Sequence, residues 1–117
     1  MDAGGEATSD AGAVDGGTPP RRGLHPEQIR RVMIGNLGAF RCCHEVALAR
    51  DRHVEGEVRL AFGIGTDGVV REASVSSSSL ADSEMEACML DVLRGLRFAS
   101  AEKGTNAVFP FLFRGKR

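Results

Sequence analysis

Apolar and polar positions alternate most clearly between Gly56 and Leu80, and the rest of the chain arranges itself around that stretch. Val58, Leu60, Phe62 and Ile64 fall on one face of a strand, and Glu57, Arg59, Ala61 and Gly63 on the other. After Thr66-Asp67-Gly68 a second run starts, in which Val69, Ala73 and Val75 share a face and Arg71 is the exception. Two alternating runs joined by Asp-Gly predict a hairpin, because Gly accepts the positive φ that such turns demand. Only one face of this hairpin is apolar, so one side needs a cover. The flanking segments are amphipathic helices and supply it.

The first helix starts at His25-Pro26-Glu27, where Pro has no hydrogen bond to lose. Ile29, Met33, Leu37, Phe40, Cys43 and Ala47 recur at steps of three and four, with Arg30, Arg31, Arg41 and Glu45 off the stripe. Gly35 and Gly38 each weaken the middle by about 1 kcal/mol relative to Ala, which predicts a kink or break near Gly38. The helix ends by Arg50-Asp51-Arg52. Following the serine run Ser76–Ser79, Asp82 or Ser83 caps a second helix, with Glu84 and Glu86 at its positive dipole end. Its stripe is Met85, Cys88, Met89, Val92, Leu93 and Leu96, and Arg94 and Arg97 sit near its C-terminal end.

In the last apolar segment, Ala107, Phe109, Phe111 and Phe113 alternate with Val108, Pro110 and Leu112, a strand that is apolar on both sides. Pro110 cannot donate to a ladder, so the strand lies at an edge, or residue 110 faces its unpaired side. The order is α-β-β-α-β. A right-handed crossover with the last strand beside the first gives an α+β fold: a three-stranded antiparallel sheet, order 2-1-3, with the helices on one face. The last strand then keeps an open edge.

Composition adds bounds rather than an activity. The chain has 117 residues, 42% hydrophobic and 26% charged, with a net charge of −1, and nothing in it predicts nucleic-acid binding. Residues 1–22 are rich in Gly, Ala, Asp, Ser and Thr and end in Pro19-Pro20 ahead of Arg21 and Arg22. They read as a flexible linker, leaving residues 23–117 as one domain. No apolar run is long enough to span a membrane. The N-terminus has neither the basic start nor the apolar centre of a signal peptide, which alone points to the cytosol. The linker-like opening equally fits a domain of a longer protein.

Candidate chemistry is thin. Gly63-Ile64-Gly65-Thr66-Asp67-Gly68 matches G-x-G-x-x-G, but it leads into a strand rather than a helix, so the glycines are turn residues and no nucleotide site follows. The serine run lacks the surroundings of a nucleophile, and no arrangement makes His25, His44 or His53 its base. Glu84 and Glu86 lie on different helix faces. Cys42 and Cys43 point about 100° apart on the first helix. Cys43 and Cys88 both lie on core stripes, either within disulfide reach of each other or as two buried free thiols. A zinc site from Cys42, Cys43, His44 and Cys88 lacks any C-x-x-C spacing. The reading is no enzyme, no cofactor and no metal.

The ordered set of motifs does resemble a family. Gly56, Val58, Phe62, Ile64, Asp67, Gly68 and Val69 look like the hairpin signature of TonB C-terminal domains, and Ser78-Ser79-Leu80 looks like the lead into the second helix. Cys43-His44-Glu45 resembles the family's Cys-Tyr-Glu, and Glu86-Ala87-Cys88 its partner motif. The similarity covers residues 24 to 114 and is nearest the myxobacterial AgmX/PglI-type branch of gliding-motility and envelope proteins. Leu96-Arg97-Phe98-Ala99 departs from the usual Trp-x-Phe-Pro. The resemblance implies a non-catalytic periplasmic domain of a membrane-anchored protein that engages a segment of an envelope or outer-membrane protein by strand addition. It also adds a compartment where disulfides persist, and with it a Cys43–Cys88 bridge is predicted. The edge expected to bind is Ala107, Val108, Phe109, Pro110, Phe111, Leu112 and Phe113, about half of which also face the core. The alternative occupant of the same edge is a second copy, giving a homodimer.

Overall fold

The computed structural model describes residues 23–115, so the linker expected at residues 1–22 lies outside the described residues. The chain order is α1 (Pro26–Gly35), α2 (Leu37–Arg50), β1 (Gly56–Ile64), β2 (Val70–Ser78), α3 (Ser83–Arg94) and β3 (Thr105–Phe113). The strands form one antiparallel sheet in the order β2-β1-β3, the topology the sequence predicts. The helices cover one face of it.

The first helix begins at a reciprocal cap. His25 Nδ1 accepts from the Glu27 N–H at 3.2 Å, and Gln28 Oε1 accepts from the His25 N–H at 2.8 Å. The predicted break exists, but at Asn36 rather than Gly38. The Asn36 side-chain amide donates to Val32 O at 2.7 Å, and its backbone leaves helical geometry at φ −116°, ψ 15°. A side chain that competes for a helix carbonyl ends the helix where two solvent-facing glycines only weaken it.

The hairpin corrects one assignment. Val70, not Val69, is the buried residue opening the second strand. Gly63 pairs with Glu72 and Ile64 with Val70, so Arg71 is an extra, bulged residue. That bulge is why a charged residue interrupts the alternation. A second shift, between Arg59↔Ser77 and Leu60↔Val75, makes Ser76 the extra residue. The turn itself needs Gly68. Its φ is +83°, and a Cβ there would collide with the carbonyl of Phe98, a residue held close because its N–H donates to Gly68 O at 2.9 Å.

Between sheet and helices lies a single apolar core. Met33, Phe40, Val58, Leu60, Met85, Met89 and Leu93 are its largest fully buried members besides Cys43. Cys43 of α2 and Cys88 of α3 are joined by a disulfide, with Cα atoms 5.8 Å apart. The same two helices meet again where α2 ends and α3 begins. Asp82 caps α3 by accepting from the Met85 N–H at 2.9 Å, and Arg50 reaches it from α2 at 3.3 Å and Glu84 at 3.0 Å. The Met85 N–H, and then Arg50, hold the Asp82 carboxyl below the usual carboxylate range against the opposing effect of burial.

Candidate functional site

The two edges of the sheet differ: an antiparallel bridge between Val69 and Arg97 meets the outer side where β2 begins, whereas among the described residues no strand pairs with the far side of β3. β2 is bulged at Arg71 and Ser76, carries Arg71 and Glu72, and ends in exposed serines. Bulges and charges are what disqualify an edge from accepting another strand. β3 instead pairs with β1 from Gly56↔Phe113 to Ile64↔Thr105 without a shift. Its far side is straight.

Which backbone groups point outward follows from β1. The Glu57 carbonyl accepts from the Ser79 N–H, and the Glu57 N–H donates to Ser79 Oγ, both at 3.0 Å and both on the β2 side. Successive residues of a strand alternate sides, so Val58, Leu60, Phe62 and Ile64 turn their polar groups toward β3. Their partners Phe111, Phe109, Ala107 and Thr105 answer them. Asn106, Val108 and Leu112 therefore aim N–H and C=O at the open edge, and Pro110 its C=O alone. The missing N–H of Pro110 falls on that open side, as the sequence predicts, and costs the ladder nothing.

The side chains divide the same way. Phe109, Phe111 and Phe113 face the helices as a ladder with ring centroids 5.2 and 6.1 Å apart. Phe40 lies 4.7 Å from Phe111, and His44 lies 4.7 Å from Phe113. His44 is buried, and its Nε2 donates to Val54 O at 2.8 Å, which assigns the ring proton to that nitrogen. On the outer face Val108 is 56% and Leu112 68% exposed. Ala107 and Phe109 are half-buried, and Phe111 is buried, so part of the predicted edge is core. A groove of about 290 Å³ runs beside the edge, walled by Leu37, Phe40 and Arg41 of α2 and by Phe109 to Phe113. The helix wall was not part of the sequence expectation. Its signal was there in Leu37 and Arg41, one turn apart at the margin of the apolar stripe.

The other candidates take structural places. Gly63, Gly65 and Gly68 close the hairpin, and no helix starts there. Ser78 Oγ donates to Glu86 Oε2 at 2.6 Å, tying β2 to α3, and Ser79 meets Glu57. His25 caps α1, and His53 sits in the loop after α2, its N–H on Asp51. Cys42 is exposed and free, about 100° around α2 from the bridged Cys43. Among the described residues no cluster of His, Cys, Asp and Glu is arranged for a metal, and no helix is long and apolar enough to cross a membrane.

A small α+β domain with one helix-covered sheet face and one regular open edge is the class of architecture these features define. Solved TonB C-terminal domains are similar to it in fold. The domain from Pseudomonas aeruginosa superposes with a TM-score of 0.50 at 21% identity, covering 61% of this chain and 76% of that one. The domain from Helicobacter pylori gives 0.50 and 21%, covering 78% and 91%. The likeness is one of fold. No protein-family model matches the chain, and no curated protein does.

Proposed function

We propose that residues 23–117 form a non-catalytic protein-interaction module of an envelope-spanning machine, TonB-like or of the AgmX/PglI gliding-motility kind. The module binds an extended segment of an envelope or outer-membrane protein, which adds as a strand to β3. The observation that carries this reading is the regular, unshifted β3 edge with its outward N–H and C=O groups at Asn106, Val108 and Leu112. Ala107 to Phe113 supply the backbone and the pockets. A periplasmic location, within a membrane-anchored parent protein, agrees with the Cys43–Cys88 bridge, since disulfides persist in oxidising compartments.

The test is a proline placed on the outward N–H. The immobilised domain retains peptides from digested envelope proteins, and Val108→Pro and Leu112→Pro each abolish that retention while the fold survives. If both variants retain the same peptides as the wild type, β3 is not the docking edge.

A further inference from the structure

We infer that the β3 edge selects a strand from a partner chain carrying an acidic side chain and rejects the β3 strand of a second copy, with Pro110 and Arg41 as the discriminating residues. The inference rests on strand addition at β3 and goes on to say which strand fits. The edge offers N–H groups at Asn106, Val108 and Leu112, and carbonyls at those three residues and at Pro110. A foreign strand therefore meets one missing donor. Two copies pairing antiparallel about a two-fold axis meet two, because any register that uses Pro110 of one copy uses Pro110 of the other. Registers that avoid Pro110 shrink to Asn106–Val108 or to Leu112 alone.

Arg41 adds a second criterion. It lines the groove opposite Pro110 to Phe113, and among the described residues no carboxylate lies within ion-pair distance of it. An added strand extends the sheet beneath α2, so its alternate side chains enter this groove between Leu37, Arg41 and the phenylalanines. A Glu or Asp at the right place meets the guanidinium in a partly desolvated setting. β3 itself, Thr105 to Phe113, contains no acid, so a second copy leaves Arg41 without a partner. Both features disfavour the same occupant.

Pro110→Val restores one donor per chain and suits a strand. One hydrogen bond is worth roughly fivefold in affinity, so a foreign peptide gains roughly fivefold and self-association roughly twenty-five-fold. Sedimentation velocity over a concentration series reads the second. The wild type stays monomeric and Pro110→Val dimerises; a wild type that dimerises, or a Pro110→Val chain that sediments as wild type, overturns the discrimination. For the first, the probes are synthetic nonapeptides of alternating Val and Thr with Glu or Lys moved through each position. Glu at one position, or two positions two apart, binds about tenfold more tightly than Lys, and Arg41→Gln removes the difference. Equal binding of Glu and Lys peptides at every position overturns the acid preference. If no peptide binds either protein while Pro110→Val dimerises, strand addition by a partner fails and rejection of the second copy stands.

Discussion

Breaking the bridge between Cys43 and Cys88 is the perturbation with the largest calculable effect. The two residues are 45 apart in sequence. Closing a loop of that size removes about 4 kcal/mol of chain entropy from the unfolded state at 25 °C. A domain this small holds about 5–10 kcal/mol in total, so the bridge accounts for a large share. Unfolding entropy of about 2.1 cal/mol/K per residue over the described chain converts 4 kcal/mol into a fall in Tm of about 20 °C. Thermal unfolding followed by circular dichroism, with and without a phosphine reductant, measures it. Cys88→Ser lowers the melting point of the oxidised protein by a similar amount, and Cys42→Ser does not, because the Cys42 side chain is exposed and unbridged. A reduced protein that melts within about 3 °C of the oxidised one refutes the entropic reasoning, since that shift corresponds to under 1 kcal/mol. Peptide mapping without reductant tests the pairing itself, and finding both thiols free removes the premise.

Asp82→Ala destabilises the domain by about 1 kcal/mol through loss of the α3 cap, read by urea unfolding at neutral pH. Its sign with pH is fixed by the lowered carboxyl: the contribution is complete above the ordinary value of 3.8 and is lost as pH falls through the folded-state value, so wild type and variant converge in acid. A gap between them that stays constant down to pH 2 contradicts the assignment. Cys42 reacts with a maleimide in the folded, oxidised protein at one thiol per chain, and mass spectrometry finding none would show it occupied. Gly68→Ala costs about 2 kcal/mol or more, because the substituted residue keeps φ +83° and drives its Cβ into the Phe98 carbonyl; an unchanged urea midpoint would mean the turn has another conformation.

The hairpin and the stripes of the helices were legible because each depends on local periodicity, and the strand order followed from the right-handed crossover between β2 and β3. Val58 to Ile64 is read directly from its alternation, and the common core position of Cys43 and Cys88 from two stripes that one sheet face must share; the choice of a bridge over free thiols came from the family resemblance. Where the sequence misled, the cause was a competition that periodicity does not encode. Asn36 ends α1 with a side-chain hydrogen bond to Val32 O, whereas the glycines nearby attract attention by propensity alone. Arg71 interrupts the alternation because it is bulged, and the bulge moves Val70 onto the core face. Of the candidate site, Ala107 to Phe113 was visible as a strand, and Pro110 marked its free side. Leu37 and Arg41 stood at the margin of the first helical stripe, but nothing in the sequence tied them to this edge. They lie about 70 residues away in sequence, and only the packing of α2 against Phe111 and Phe113 brings them to the edge.

The position of α2 also explains why a domain with so little chemistry has a costly pair of attachments between its helices. α2 is the wall of the groove on one flank, through Leu37 and Arg41, and is bonded to α3 on the other, through Cys43 and Arg50. Under the strand addition proposed above, an incoming strand must find that wall already in place, because ordering it at the moment of binding would subtract from the affinity of a few backbone hydrogen bonds. Each such bond contributes about 1 kcal/mol net, so three or four of them leave little margin for an unfixed helix. The bridge and the Arg50–Asp82 pair lie away from the incoming strand and hold the wall without obstructing the edge. Reduction therefore weakens binding of a β3 peptide at temperatures where the reduced domain is still folded. The loss falls on the dissociation rate, as the wall loosens around a bound strand. Stopped-flow displacement of a labelled peptide from oxidised and reduced protein at 10 °C measures it, and equal dissociation rates would show that α2 keeps its place through packing alone.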